Sequence, residues 1–360
     1  MRMCFATAEM SETMIEAALP FITVVMPVLN EARFIEKTLC ELVAQEYPKD
    51  RYEVIVADGG SSDGTQEIVR DIAAIHPQVI LMDNPGRLPS SGRNVGFKKG
   101  KGEFFLVIDG HCEIRNPQLL SNVVDCFQRS GAHCLGRPQP FIVPEEPSMQ
   151  RAIGLARSSW LGHSSKSFIH SNQEGFVSPT SVGCAYRREV FDKIGYVDET
   201  FDACEDVEFN YRVEKAGFKT FFSPLIRVYY YPRSTLQNLW KQMVRYGKGR
   251  LNFAIKHPPS ASFEMIIPPG FVLWMVAGSA IGAFLPSFFL LYILSMITYL
   301  VVSVTALPIT CTHYKCDFFL NFIAALFVIH CGIGVGMIHE SMLKIRTLVV
   351  HSNIFYKTII

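Results

Sequence analysis

The sequence predicts an α/β domain built on a mostly parallel sheet, followed by C-terminal transmembrane helices. Two observations carry that expectation. Short β-rich apolar runs alternate with segments of helical period from Phe21 to Arg129, and two long stretches late in the 360-residue chain hold no Asp, Glu, Lys or Arg. Strands and helices alternating at this spacing form βαβ units whose sheet is covered on both faces.

Taken in order, Phe21 to Leu29 (FITVVMPVL) reads as the first strand, and Ala32 to Glu46 places Ile35, Leu39, Leu42 and Val43 at helical spacing. The pattern then repeats: Tyr52 to Asp58 before Thr65 to Ile75, Val79 to Met82 before Gly92 to Lys99, and Phe104 to Asp109 before Pro117 to Arg129. From Ala132 to Pro232 the pattern loosens, broken by Pro138, Pro140, Pro144, Pro147 and Pro179, and this stretch is expected to form a substrate-binding half. The domain boundaries expected are a tail over 1–20, a catalytic domain over 21–232, a basic segment over 233–262, a membrane region of two or three spans over 263–340, and a tail over 341–360.

Charge sharpens the division. Lys and Arg number 34 against 33 Asp and Glu, a formal charge of +1, so no bulk basicity points to nucleic acid. Met265 to Tyr314 and Phe318 to His339 are the two charge-free stretches, of 50 and 22 residues. One bilayer crossing takes about 20 apolar residues. Just before them lie Arg233, Lys241, Arg245, Lys248, Arg250 and Lys256 with no acid between, interleaved with Leu236, Leu239, Trp240, Met243, Val244, Leu251 and Phe253. Such a segment suits an amphipathic helix lying on the bilayer, on the cytoplasmic side, although a solvated basic linker has the same composition.

Three full crossings from that side would place Lys344, Arg346 and Lys357 outside, against the positive-inside tendency. One of the first two apolar segments, parted near Pro286-Ser287, is re-entrant or interfacial in the alternative topology. Gly278 and Gly282, and Gly332, Gly334 and Gly336, are small residues of the kind that lets helices approach closely, although glycine is frequent in spanning helices in any case. Residues 1–20 carry Glu9, Glu12 and Glu16 and no apolar run of signal-peptide length, so the front domain is expected in the cytoplasm of an inner-membrane, multi-pass protein. The ten cysteines include no C-x-x-C pair and read as reduced thiols.

In a parallel sheet, ligands bind beyond the carboxyl ends of the strands. Three runs end in acids there: Asn30-Glu31, Asp58 in DGGSSDGT, and Asp109 in IDGHC. Each alone could be a helix cap or turn former. The glycine loop is neither G-x-G-x-x-G nor a P-loop, which disfavours a redox dinucleotide. A carboxylate edge meets phosphate only across a divalent cation, and Asp109-Gly110-His111 offers an oxygen and an imidazole from one turn. That points to a metal-bridged nucleotide diphosphate. A lone D-x-H is also a common accident, and the acidic run EDVEFNYR also suits the first turn of any helix.

PVLNE (Pro27 to Glu31), ADGGSSDGT (Ala57 to Thr65), GRNVGF (Gly92 to Phe97), VIDGH (Val107 to His111) and CEDVEFNYRVEKAGF (Cys204 to Phe218) occur in the order seen in inverting family 2 glycosyltransferases. The chain resembles that family over Phe21 to Arg250, and within it the bacterial, membrane-associated succinoglycan-biosynthesis (ExoA-like) type. The resemblance implies a GT-A nucleotide-diphospho-sugar transferase fold, Rossmann-like in character, and one-step transfer with inversion.

It also implies roles, residue by residue. Pro27, Asn30 and Glu31 would contact the nucleoside, Asp58 the uracil or ribose, and Arg93 the diphosphate. Asp109 and His111 match the metal-binding D-x-D position for Mg²⁺ or Mn²⁺, with His111 in place of the second acid. Asp206, in the Glu205-Asp206 pair, matches the catalytic base, and Glu205 is grouped with the diphosphate- or acceptor-binding residues. Gln242, Arg245 and Tyr246 resemble the Q-x-x-R-W element of processive polysaccharide synthases, with Tyr246 in place of Trp. That departure, and the want of N-terminal spans, argue against processive synthesis.

The implied substrates are a UDP-sugar donor and a polyprenyl-diphosphate-linked saccharide acceptor at the bilayer, in surface or exopolysaccharide assembly. A polyprenyl-phosphate sugar synthase and a catalytically inactive GT-A membrane scaffold are the alternatives.

Overall fold

The computed structural model describes residues 19–146, 148–163, 167–307 and 316–359. The expectations for the N-terminal tail through residue 18, for Pro147 and for Cys311 lie outside the described residues, as do those for the Lys357 side chain. By internal contacts the chain divides into two units. The first comprises Met1–Pro140, Ser167–Thr200 and Glu205–Tyr231, and the second Phe141–Lys166, Phe201–Cys204 and Pro232–Ile360. Thus 141–166 and 201–204, placed in the 21–232 block on sequence, pack with the C-terminal part.

The first unit is an α/β sheet domain. Its opening strands are β1 (Ile22–Val28), β2 (Tyr52–Asp58), β3 (Val79–Asp83) and β4 (Phe104–Val107). They alternate with α1 (Ile35–Val43), α2 (Thr65–Ile75), α3 (Pro89–Lys99) and α4 (Leu119–Ser130). All four strands pair in parallel, with β1 between β2 and β4. Both faces are covered, so β2 is buried at every position, and its hydrophobic run is continuous rather than alternating.

The irregular half completes the sheet. Strands β6 (Cys134–Gly136), β7 (Gly175–Val177), β8 (Gly183–Arg187) and β9 (Thr220–Phe222) extend it to eight strands in the order β3-β2-β1-β4-β8-β6-β9-β7. Strand β8 runs antiparallel to both β4 and β6. Two further pieces, β5 (Cys112–Glu113) and β10 (Tyr229–Tyr230), form a separate antiparallel ribbon immediately after His111.

Glycines set how closely α3 lies on the sheet: a Cβ on Gly96 would stand 2.4 Å from Val25 Cγ1, and one on Gly92 2.9 Å from Pro27 Cβ. The helix start is thereby pressed against the carboxyl end of β1. Helices α6 (Arg188–Ile194) and α7 (Glu205–Lys215) pack on the other aromatic core, where Phe97, Phe105, Tyr186, Phe191 and Phe209 meet.

The second unit is helical: α5 (Met149–Ser158), α8 (Leu236–Lys256), α9 (Ile267–Gly282), α10 (Pro286–Thr305) and α11 (Cys316–Ile359). Phe263–Gly282, Pro286–Thr305 and Cys316–Thr347 are each long and apolar enough to cross a membrane. They are not equivalent. In the most apolar window of each, the first two bury 11% and 6% of residues within the protein, the third 44%.

The glycines explain the difference. Gly332 faces Met243 Cβ and Gly336 the Val244 carbonyl on α8, while Gly334 faces the Pro268 carbonyl of α9. Gly278 and Gly282 seat Tyr292 and Phe289 of α10. Helix α8 thus spends Leu239 and Met243 against α5 and α11 rather than leaving that whole face for lipid. His330 adds a polar tie: its Nε2 donates to the Leu161 carbonyl (3.0 Å), so Nδ1 accepts from the Tyr299 hydroxyl (3.0 Å).

Candidate active site

The carboxyl edge of the parallel strands is built by two interlaced loops. Beyond β1, Asn30 adopts φ +57, a left-handed conformation that Asn tolerates better than most residues. Its backbone N–H donates to Ser61 Oγ (2.8 Å), and its side-chain oxygen accepts from the Ser62 N–H (2.9 Å). Glu31 N–H donates to Thr65 Oγ1 (2.8 Å). Asp58 turns into its own loop. One carboxylate oxygen accepts from the Gly60 and Ser61 N–H groups (both 2.9 Å) and from Gln66 Nε2 (2.6 Å), and the other from Ser61 Oγ (2.5 Å). Asp58 is 2% exposed, so its first task is to hold the loop.

Arg93 and Glu205 form the charged centre. Arg93 Nη2 lies 3.3 Å from Glu205 Oε1, and both side chains are largely buried. Burial opposes the Arg93 charge, but the carboxylates of Glu205, Asp206 and Asp109 all act on it and raise its pKa above the usual arginine value. The same group governs Glu205. Burial raises its pKa, Arg93 pulls it down, and Asp206 and Asp109 push it up again, which leaves the carboxyl at about 7. Arg93, Asp109, Glu205 and Asp206 therefore share one electrostatic neighbourhood, although Arg93 and Glu205 are 112 positions apart in the chain. Asp206 sits in the first turn of α7, which is entered through Cys204 at φ +63, and it accepts from the Val207 N–H (2.9 Å).

The D-G-H turn is fixed from several sides. Thr38 Oγ1 donates to the Cys112 carbonyl (2.7 Å), and Tyr231 N–H to the His111 carbonyl (3.2 Å). Just beyond, Glu113 accepts from Lys37 (2.5 Å), Arg115 (2.5 Å) and the Tyr231 hydroxyl (2.7 Å). Burial would raise its pKa, yet these three bonds hold it down at about 2. His111 Nδ1 is 2.8 Å from Glu31 Oε1. Among the described residues no three or more His, Cys, Asp or Glu side chains are arranged to hold a metal. Asp109 and His111, two residues apart, could hold a divalent cation only with oxygens of phosphate or water completing its shell.

Gln242, Arg245 and Tyr246 stand on α8, in the second unit. Arg245 clamps Asp202 with both arms of its fork, Nε to Oδ2 at 2.7 Å and Nη2 to Oδ1 at 2.8 Å. Gln242 accepts from Arg157 Nη1 and donates to the Tyr246 hydroxyl (both 3.4 Å), while Arg157 stacks on Phe141 at 4.7 Å.

Three residues of these networks escaped sequence reasoning. Arg137, 4% exposed, donates to the Val107 carbonyl (2.9 Å) close to Asp109 in the chain. Its signal was a lone Arg just past a short strand, too common to read. Arg157 carried none. Asp202 could have been found as an acid facing the acid-free basic segment.

A mixed α/β sheet domain that gathers three acids around a buried arginine, in a chain that also carries helices apolar enough to cross a membrane, defines a glycosyltransferase of the GT-A type. Two family patterns agree: glycosyl transferase family 2 matches residues 23–195, and glycosyl transferase family group 2 matches 116–338. The chain belongs to glycosyltransferase family 2. It is 31% identical over 264 residues to the succinoglycan biosynthesis protein ExoA of Rhizobium meliloti, covering 73% of this chain and 77% of that one. It is 28% identical over 246 residues to the dolichyl N-acetyl-alpha-D-glucosaminyl phosphate 3-beta-D-2,3-diacetamido-2,3-dideoxy-beta-D-glucuronosyltransferase of Methanococcus voltae, covering 64% and 73%. Among solved structures, the mannosyltransferase PcManGT of Pyrobaculum calidifontis, in complex with GDP-Man and Mn²⁺, superposes with a TM-score of 0.58 at 17% identity, covering 89% of this chain and 88% of that one. At that identity the likeness speaks for the fold alone.

Proposed function

We propose that this glycosyltransferase moves a sugar, with inversion, from a UDP-sugar to a lipid-linked saccharide at the cytoplasmic face of the inner membrane, in surface or exopolysaccharide assembly. The observation that carries the reading is the gathering of Asp109, Glu205 and Asp206 around Arg93. Relatives named for succinoglycan biosynthesis and for a dolichyl-phosphate-linked substrate support the substrate class.

Each residue type suits the step. The acceptor hydroxyl must lose its proton as it attacks the sugar C1, and Asp206, in the first turn of α7, takes that proton as general base. The nucleotide diphosphate leaves from the opposite face, and the Arg93 guanidinium, held in place by Glu205, stabilises the negative charge that develops on it. Asp109 and His111 would hold a divalent cation, which when bound neutralises diphosphate charge. Pro27, Asn30 and Asp58 shape the nucleoside end, whereas Glu31, expected beside them, turns its carboxylate to His111; Gln242, Arg245 and Tyr246 serve the diphosphate or acceptor.

The test is transfer by purified protein with Mn²⁺ or Mg²⁺, a panel of nucleotide sugars, and both polyprenyl phosphate and polyprenyl-diphosphate saccharide as acceptors. Asp206→Asn is expected to slow transfer to a saccharide by about 10²–10⁴-fold. A variant as fast as the parent ends the base assignment. Product from polyprenyl monophosphate alone, with only a mild Asp206→Asn defect, selects the polyprenyl-phosphate synthase instead.

A further inference from the structure

The sharpest unexplained feature of the site is one atom. His111 is 9% exposed, and its Nε2 is buried with no hydrogen-bond partner. Its other ring nitrogen is committed, since Nδ1 lies 2.8 Å from Glu31 Oε1. A carboxylate can only accept, so Nδ1 must carry the proton of the neutral ring. The lone pair is thereby assigned to Nε2, where nothing among the described residues uses it, and a buried polar atom left unpaired is costly.

The neighbourhood is arranged to keep this geometry. Glu31 is fixed from its own backbone by Thr65 and follows the left-handed Asn30. Gly110 lets the turn come close: a Cβ there would lie 3.1 Å from Glu31 Cγ and 3.0 Å from Val28 Cγ1. The imidazole packs edge-on against Tyr230, ring centres 4.4 Å apart. A carboxylate behind an imidazole whose far nitrogen is free is the arrangement that orients histidines toward metal ions and strengthens them as ligands.

From this we propose that Glu31 is a positioning residue for the cation site: it selects the His111 tautomer whose Nε2 is the open donor, so that one side chain of the β1 loop prepares the metal end of the donor pocket. This rests on the reading that Asp109 and His111 face a divalent cation.

The experiment uses the full chain in detergent, with Mn²⁺ and with UDP or GDP. Pulsed electron paramagnetic resonance of bound Mn²⁺ is expected to show ¹⁴N modulation from an imidazole, lost in His111→Asp, which supplies an oxygen instead. Glu31→Ala is expected to weaken Mn²⁺ binding about 10–100-fold, with a smaller loss in Glu31→Gln, whose amide oxygen can still accept. Nucleotide affinity in EDTA should be unchanged in both Glu31 variants. Bound Mn²⁺ without ¹⁴N modulation in the parent protein overturns the proposal without any reliance on a variant. So does a Glu31→Ala protein with parental Mn²⁺ affinity, or one that loses nucleotide affinity equally in EDTA, which would make Glu31 a nucleoside contact. Absence of sugar transfer with Mn²⁺ and ¹⁴N modulation intact would instead count against the transfer reaction and leave the site standing.

Discussion

Arg93 and Arg245 each face a carboxylate, but in opposite surroundings. The Arg93–Glu205 contact is single and loose at 3.3 Å, between side chains only 14% and 7% exposed. The Arg245–Asp202 contact is a fork closing to 2.7 Å, between side chains 41% and 50% exposed. By distance the second is the stronger, but environment reverses the ranking. Water and salt screen the exposed pair, whereas neither member of the buried pair can be removed without stranding a charge. The buried pair is also unbalanced: Asp206 and Asp109 join Glu205 around a single guanidinium. That surplus of acid suits the cation and the reacting hydroxyl proposed above.

The largest effect expected is at Arg93. Arg93→Met should cost about 3–5 kcal/mol of stability and slow transfer by at least about 10²-fold, read by thermal unfolding in detergent and by initial rates. An unchanged melting temperature would erase the contrast between the two pairs.

Next comes Gly249 on α8, beneath the exposed pair. A Cβ there would stand 2.2 Å from the Ala203 carbonyl, a backbone atom that cannot swing aside. Gly249→Ala should cost about 1–3 kcal/mol in the same unfolding assay. Gly270, with nothing within 4 Å of a Cβ, is the matched control and should tolerate Ala. Equal melting temperatures for the two variants would show that Phe201–Cys204 is not held against the helix.

Glu205 gives a smaller, pH-dependent signal. Burial, with Asp206 and Asp109 adding to it, raises its folded pKa from 4.5 to about 7. Between those values the folded protein keeps a proton that the unfolded chain has released, so stability is full below about 4.5 and falls as pH rises toward 7. Glu205→Gln should flatten that slope in melting temperature; a slope that persists places its origin elsewhere. The smallest effect is at the exposed fork. Arg245→Lys should change stability by no more than about 1 kcal/mol. A rate or KM defect at unchanged melting temperature would mark lost contact with substrate.

Legibility followed the range of the forces involved. The alternation from Ile22 to Ser130 was readable because apolar period and turn residues are local, and observed strands and helices fall within a few residues of the expected ones. The ribbon of Cys112–Glu113 with Tyr229–Tyr230 was not, since two residues carry no period and the partners are over a hundred positions apart. The prolines of 132–232 suggested irregularity and hid α5, whose Ala152, Ile153 and Ala156 face α11. The acids at strand ends were visible as residues. What each touches was not: nothing local says that Glu31 meets His111, that Asp58 folds back on its own loop, or that Arg245 grips Asp202. These pairings depend on backbone paths that only the assembled sheet and helices define.

Helix α11 runs unbroken for 44 residues, about 66 Å at 1.5 Å per residue, against a hydrocarbon slab of about 30 Å. Tilts reach only about 40°, so leaning alone cannot hide such a rod in lipid. In a bilayer that it crosses, several of its turns would project as a stiff overhang. Because Gly332 and Gly336 seat this same rod on α8, its near end is fastened to the helix that carries Gln242, Arg245 and Tyr246.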